Sequence, residues 1–230
     1  MLRTMGEFGK QAAGAKAAEL IENGMVVGLG TGSTAAFFIK ALTERKDLRI
    51  KAVSSSKRSE ELAKAGGIRV LDINDVSQID ITVDGADQVD HKMRMIKGGG
   101  GALTREKILA SSSAEMVVIV DESKVTKTLG TVKLPLEIVP FGSLMTKKKI
   151  EALGFSGKWR PGNASDLSHE LFLTDNGNYI FDIFFETPPN NPEKTHEDLI
   201  QLPGIVETGF FFNLASKVIV GKEDKNTYLL

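Results

Sequence analysis

The sequence predicts an α/β fold, a mostly parallel sheet flanked by helices, with a smaller α+β lobe inserted near the C-terminus. Three observations predict it. Helical and strand-like segments alternate as far as Val125, a pattern that right-handed crossovers turn into a parallel sheet covered on both faces. Turns rich in glycine, serine, threonine or aspartate follow three of the strand segments, at the strand ends where such sheets bind ligands. Beyond Val125 the texture changes to a strand bracketed by prolines, a hairpin pattern and separate helices.

The elements follow in order. Ala13, Ala17, Leu20 and Ile21 fall at helical spacing within residues 6–23, and Asn23-Gly24 supplies a stop. Residues 25–30 read as a short strand buried on both faces. The turn Thr31-Gly32-Ser33-Thr34 and a helix to Arg45 come next. Strand, glycine-rich turn and helix together present unpaired N–H groups and the positive end of a helix dipole to an anion. The turn's hydroxyls add donors without charge, so a phosphate suits it. A dinucleotide fold is the rival, because Gly28-x-Gly30 resembles its opening. However, Ser33 stands at the third glycine position, and the next strand ends Ala52-Val53-Ser54-Ser55-Ser56, with no acid for a ribose.

The alternation continues with a strand at 49–53, a helix at 56–65, a strand at 68–71 and a strand at 79–83 that ends on Asp84. Loops 30–34, 54–56 and 84–87 are thereby expected on one rim. A charged hinge then leads to Lys97-Gly98-Gly99-Gly100-Gly101. Each glycine gives up roughly 0.5 to 1 kcal/mol relative to alanine in regular structure, so four in a row imply a tight bend or a close approach to a ligand. Thr104 reads as the cap of a helix with Ile108 and Leu109 facing inward, which puts Glu106 in its first turn. A strand at 116–120 closes on Asp121-Glu122-Ser123-Lys124 and brings Lys124 to the same rim.

The later part reads as a strand at 134–140, a helix at 144–153 and a hairpin of 172–174 with 179–185 around Asp175-Asn176-Gly177-Asn178. A break at 188–192, a helix at 192–202 and strands at 217–221 and 227–230 complete the chain. The expected division is an α/β domain of residues 1–131 and 208–230, with a lobe of residues 132–207. Lys147-Lys148-Lys149 reads as a solvated helix face.

Composition narrows the function. Among 230 residues, 29 basic and 30 acidic side chains nearly cancel, leaving no field for nucleic acid or an anionic membrane. The absence of cysteine removes disulfides, thiolate metal sites and cysteine nucleophiles, and fits a reducing cytoplasm. No apolar run approaches the roughly 20 residues of a membrane span, and residues 1–7 lack a signal-like apolar region. A soluble cytoplasmic protein is expected.

These residues suit one chemistry. Interconverting the aldehyde and ketone forms of a sugar phosphate needs a carboxylate to move a proton, a cation for the oxygen that becomes an enediolate, and an anchor for the phosphate. Glu106, Lys97 and the two glycine-rich loops supply them in that order, and the scheme requires neither a metal nor a redox cofactor. Asp84, Asp87, Asp90 and His91 offer metal ligands, but their spacing does not match the alternating pattern of a calcium loop. His91, His169 and His196 form no recognisable constellation.

The set Gly28-Leu29-Gly30-Thr31-Gly32-Ser33-Thr34, Ser54-Ser55-Ser56, Asp84-Gly85-Ala86-Asp87, Lys97-Gly98-Gly99-Gly100, Glu106 and Asp121-Glu122-Ser123-Lys124 closely resembles the type A ribose-5-phosphate isomerases. The resemblance covers most of the chain. It implies interconversion of D-ribose 5-phosphate and D-ribulose 5-phosphate in the non-oxidative pentose phosphate pathway. It also implies a Rossmann-like sheet domain with a ferredoxin-like lobe, assembled as homodimers or homotetramers. On this resemblance Glu106 is the proton acceptor, Asp84 and Asp87 serve ring opening and the sugar hydroxyls, and Lys97 steadies the oxyanion. Thr31, Gly32, Ser33, Thr34, Gly85, Ala86, Gly98, Gly99, Gly100 and Lys124 are implied to bind substrate. Leu214, where the family's tail motif often has arginine, and a long stretch at 162–170 depart from the pattern, both expected to lie away from the chemistry. Two other readings are a sugar-phosphate sensing module of a transcription regulator and a related deaminase or acyl-CoA transferase. Too few residues precede the first strand for a helix-turn-helix, and the Asp84, Asp87, Lys97 and Glu106 set argues against both.

Overall fold

The computed structural model describes residues 6–162 and 170–230. From the N-terminus the chain forms α1 (Glu7–Ala18), β1 (Val26–Leu29), α2 (Ser33–Glu44), β2 (Lys51–Ser54), α3 (Lys57–Ala65), β3 (Arg69–Val70) and β4 (Ile79–Asp84). Next come β5 (Gln88–Asp90), β6 (Met95–Ile96), α4 (Leu103–Ser111), β7 (Ser113–Asp121) and β8 (Val125–Thr126). Then follow β9 (Leu134–Ile138), α5 (Ser143–Ala152), β10 (Gly157–Trp159), β11 (Tyr179–Ile183), α6 (Pro192–Ile200) and β12 (Ile205–Thr208). The chain ends with β13 (Phe210–Phe211), β14 (Lys217–Gly221) and β15 (Thr227–Leu229).

Seven strands make the main sheet in the order β15-β14-β7-β4-β1-β2-β3, and only β15 runs antiparallel. The apolar run in β7 shows why the sheet is covered twice. Val117 and Ile119 pack with Ala13, Phe38 and Ile39 on one side, while Met116, Val118 and Val120 pack with Leu103 and Phe211 on the other. Successive side chains of a strand alternate in direction, so an unbroken apolar run needs a layer on each face. After β3 the chain crosses back to set β4 on the far side of β1, so the strand order reverses between these two. A crevice opens above the carboxyl ends at such a reversal.

The lobe has a sheet of its own. Strands β9 to β12 with α5 and α6 give βαββαβ connectivity and the antiparallel order β10-β11-β9-β12, as in ferredoxin-like units. Leu136, Ile150, Phe181, Ile183 and Leu199 fill its core. The expected hairpin of 172–174 with 179–185 is present only next to its turn, where Leu173 bridges Tyr179 antiparallel and the Thr174 N–H donates to the Asn178 carbonyl at 2.9 Å; the ladder of β11 is otherwise made with β9 and β10, and Leu171 bridges Pro161. A polar centre joins the lobe to α4. The fully buried Glu137 accepts from Thr104 Oγ1 at 2.5 Å, Thr174 Oγ1 at 2.9 Å, Asn176 Nδ2 at 3.1 Å and Asn178 Nδ2 at 2.9 Å.

Other local expectations change too. The supposed charged hinge after Asp87 is the β5–β6 hairpin, part of a third sheet in the order β13-β6-β5-β8. Asp90 closes its turn, accepting Arg94 Nε at 2.8 Å and the N–H groups of Lys92 and Arg94 at 2.9 and 3.0 Å. Thr104 does not cap α4. Ala102 holds that position, and the Thr104 hydroxyl goes to Glu137 instead. Leu109 is buried as expected, but Ile108 is exposed. Lys148 and Lys149 are exposed, and Lys147 pairs with Glu151 of the same helix. His169 and most of the 162–170 stretch lie outside the described residues. No helix among the described residues is long and apolar enough to cross a membrane.

Helix α1 reaches the sheet through glycine. Gly9 and Gly221 of β14 meet so closely that a Cβ on either would overlap the other's carbonyl oxygen. Gly221→Ala is therefore expected to lower unfolding stability by about 1 to 3 kcal/mol, the usual cost of overpacking. Urea denaturation checks it: the midpoint falls while the slope stays constant.

Candidate active site

Three loops at the carboxyl ends of main-sheet strands, the segment between β6 and α4 and one residue of α1 line a cavity of about 120 Å³. Thr31, Gly32, Ser33 and Thr34 line it after β1, Gly85, Ala86 and Asp87 after β4, Lys97 to Gly100 and Glu106 around the start of α4, and Lys124 after β7. Of the sequence-predicted site residues only Asp84 stays out of the lining. Ser54, Ser55 and Ser56 also stand back from it. Ser55 Oγ lies 2.7 Å from Thr31 Oγ1, Ser59 Oγ donates to the Gly30 carbonyl at 2.7 Å, and Ser56 caps α3, so this loop braces the turn behind the cavity.

The turn after β1 is shaped for an anion. Gly32 caps α2 with φ 108°, a backbone conformation in which an L side chain is strained. Ser33 and Thr34 then begin the helix, so their N–H groups belong to its unsatisfied first turn, and no acidic residue sits there. Two cations line the same cavity. Lys124 was expected. Lys10, from α1, was not.

Beneath the end of the cavity lined by Lys97 and Glu106 lies a buried cluster of charge. Lys97, Asp84 and Glu106 are 2%, 1% and 3% exposed. The Lys97 Nζ stands 2.9 Å from Asp84 Oδ2 and 3.3 Å from Glu106 Oε2, and donates to the Gly85 carbonyl at 2.5 Å. Asp84 Oδ1 accepts the N–H groups of Thr31 at 3.0 Å and Gly85 at 2.7 Å. Gly30 permits this, since a Cβ there would overlap the Asp84 carboxylate. Asp84 is thus a support beneath the cavity that ties β1, β4 and Lys97 together. Asp87 lines the cavity and accepts the Gly99 N–H at 2.7 Å.

Electrostatics follow from burial. Burial works against the Lys97 charge, but Asp84 and Glu106 outweigh it and hold the ammonium above the ordinary lysine range. Glu106 is raised to about 8: burial lifts it most, Lys97 pulls it down, and Asp84 and Asp87 push it up. Asp84 is also raised, chiefly by burial and against the pull of Lys97. Although Lys97 lies within ion-pair distance, neither Asp84 Oδ2 nor Glu106 Oε2 has a partner at hydrogen-bond geometry. Glu106 Oε2 is therefore a buried acceptor without a hydrogen bond, 3.3 Å from the Lys97 ammonium.

The tail lies nearer this chemistry than expected. The Lys97 N–H donates to the Gly209 carbonyl at 2.9 Å, and the Phe211 ring sits 5.4 Å from Lys97 Nζ. Leu214 packs in the apolar cluster around Phe211. The other polar candidates stand apart: Asp90 is committed to Arg94, and His196 Nδ1 meets Thr208 Oγ1 at 2.7 Å. Among the described residues, no three His, Asp or Glu side chains converge as metal ligands. Lys10 escaped notice because one lysine in a helix has no signature. The only hint was its neighbour Gly9, on a small-residue face with Ala13 and Ala17 that brings α1 close to the sheet.

Comparison with known proteins shows the family. A family model described as ribose 5-phosphate isomerase A (phosphoriboisomerase A) matches residues 51–225. The ribose-5-phosphate isomerase A of Protochlamydia amoebophila is 44% identical over 96% of this chain and 94% of its own length. That of Bifidobacterium longum is 45% identical over 92% and 90%. A solved D-ribose-5-phosphate isomerase in complex with phospho-erythronic acid superposes with TM-score 0.92 at 35% identity, over 99% of each chain. The ribose 5-phosphate isomerase A of Methanocaldococcus jannaschii gives 0.88 at 34% identity over 96% of this chain and 97% of its own. The chain belongs to the ribose 5-phosphate isomerase A family.

Proposed function

We propose that this protein interconverts D-ribose 5-phosphate and D-ribulose 5-phosphate, with Glu106 as the base that carries the proton between carbons 1 and 2. One observation carries the assignment of the base: Glu106 is a buried carboxylate that lines the cavity, 3.3 Å from the Lys97 ammonium, and its Oε2 has no hydrogen-bond partner. The phosphate fits the first turn of α2, between Lys10 and Lys124. The open-chain sugar then extends toward Lys97 and Glu106.

In the forward direction the Glu106 carboxylate takes the proton from C2. The C2–H electron pair forms the C1–C2 double bond, and the carbonyl pair moves onto O1 as an enediolate. Lys97, with the loop amides, opposes that negative charge in a site where water is scarce and electrostatics are strong. Glu106 then gives its proton to C1 while the O2 hydroxyl proton passes to O1, which leaves the ketone at C2. Asp87, the other carboxylate lining the cavity, is placed for exchange with the sugar hydroxyls and for ring opening. Asp84 acts beneath, by fixing Lys97.

The same reading carries an α/β domain of residues 1–131 and 208–230 with an inserted lobe of residues 132–207, a cytoplasmic location and a homodimer or homotetramer. The separate lobe sheet supports the division. The exposed Phe141, Leu144 and Met145, clustered at α5, support self-association.

Three outcomes are expected of an assay that follows ribulose 5-phosphate formed from ribose 5-phosphate. Glu106→Gln lowers kcat by at least the roughly 100- to 10,000-fold due to a positioned base, with folding intact by circular dichroism; near-normal turnover would remove Glu106 from the role. Because the base must be ionised and its pKa is raised to about 8, kcat/KM rises with pH and levels off above that value. A profile already flat from pH 6 upward would contradict this. Lys10→Ala raises KM about tenfold, the weight of one charged hydrogen bond, and leaves kcat nearly unchanged because the phosphate does not react.

A further inference from the structure

The glycine loop is gripped from the lobe as well as from the sheet. Arg160, just beyond β10 and 8% exposed, sends Nη1 to the carbonyl oxygens of Gly98 at 3.0 Å and Gly99 at 3.1 Å. Its Nε and Nη2 clasp Asp182 of β11 at 3.0 and 2.5 Å, and Asp182 also receives Lys133 Nζ at 2.7 Å. The Phe172 ring lies 5.6 Å from the guanidinium carbon and occupies the space where a Cβ at Gly101 would go. A buried guanidinium needs its donors matched, and here a carboxylate and two peptide oxygens match them.

The direction of this grip matters. A trans peptide is planar, with its C=O and the following N–H pointing opposite ways. Fixing the Gly98 oxygen therefore fixes the Gly99 N–H, which donates to Asp87. Fixing the Gly99 oxygen turns the Gly100 N–H away from Arg160. A cation on a carbonyl oxygen also polarises the peptide and strengthens its N–H as a donor. Four successive glycines would otherwise leave these amides wide conformational freedom.

We propose that Arg160 is a positioning residue for the isomerisation. It orients the Gly100 amide and, through the Gly99 N–H, Asp87 against the sugar oxygens at the Lys97 and Glu106 end of the cavity. The phosphate end, held by the turn after β1, does not depend on it. This inference rests on the isomerase reading.

The test uses the full chain with Arg160→Met, which keeps the apolar stem without donors, and Arg160→Lys, which keeps the charge. Two competitive inhibitors probe the two ends: phospho-erythronic acid, which carries a carboxylate away from its phosphate, and inorganic phosphate alone. Arg160→Met is expected to lower kcat/KM by about 10- to 100-fold, as for a misplacement on the order of 1 Å. It should weaken phospho-erythronic acid by a comparable factor and leave inhibition by phosphate unchanged, with Arg160→Lys recovering part of both losses. A partly misfolded sample would lower kcat yet leave both inhibition constants in place. That result, or equal weakening of the two inhibitors, overturns the proposal. If Arg160→Met does not fold, Asp182→Asn, which keeps the guanidinium and removes its counter-charge, must shift the same constants in the same direction. Wild-type protein in the same assay separates the two ideas, since a wild type without turnover would sink the isomerase reading itself.

Discussion

A lysine ammonium sunk between two carboxylates, all three almost fully removed from water, is the constraint around which this molecule is built. Burying charges costs several kcal/mol per ion after relaxation, so the cluster persists only where every partner is held in place. Each member comes from a different element: Asp84 ends β4, Lys97 follows β6, and Glu106 lies in the first turn of α4. The cluster carries one excess negative charge when all three are ionised, and Asp87 adds another nearby. Burial first, and that excess after it, explain why Glu106 holds its proton to a pH well above the glutamate norm even beside a lysine. A base near neutrality and a fixed cation within 3.3 Å of it arise from one arrangement.

Sheet topology supplies the location. The strand order reverses between β1 and β4, and the loops leaving these two strands part to either side. The turn after β1 feeds directly into α2 and offers its amides, whereas the loop after β4 offers Asp87 and the Gly85 carbonyl that receives Lys97. Asp84 links the two by accepting the Thr31 N–H. The anion cradle and the charge cluster thus share one carboxylate, and any shift of β1 against β4 would disturb both together.

How much of this was readable beforehand depended on length and local chemistry. The parallel sheet announced itself through long apolar runs such as 116–120, and the turn at 31–34 through its glycine and hydroxyls. The Lys97 to Glu106 segment stood out because four glycines are costly without a reason. The third sheet did not, because strands of two or three residues carry no periodicity, and residues 88–96 looked merely charged. Thr104 misled for a related reason. Its preference for a helix start is weak beside a buried carboxylate that needs a donor, and Glu137 lies 33 positions along the chain. Lys10 and Arg160 were invisible on the same grounds: each acts on the site through tertiary packing, from α1 and from the lobe, with nothing in its neighbours to announce it.

These long-range contacts also explain why the lobe cannot be regarded as an appendage. The segment from Lys97 to Glu106 carries the cation and the base of the proposed mechanism, and the tail and lobe fasten it along its length. Gly209 receives the Lys97 N–H, Arg160 holds the Gly98 and Gly99 oxygens, and Glu137 takes the Thr104 hydroxyl. Glycine makes that segment pliant enough to follow a ligand closely, and pliancy alone would leave its amides and side chains spread over many directions. Catalysis by positioned charge loses its advantage when the charges must be arranged anew for each substrate. Two of the lobe's buried charged residues, Arg160 and Glu137, end on this segment. The ordering that the segment lacks in its own sequence is therefore provided by the folding of the lobe.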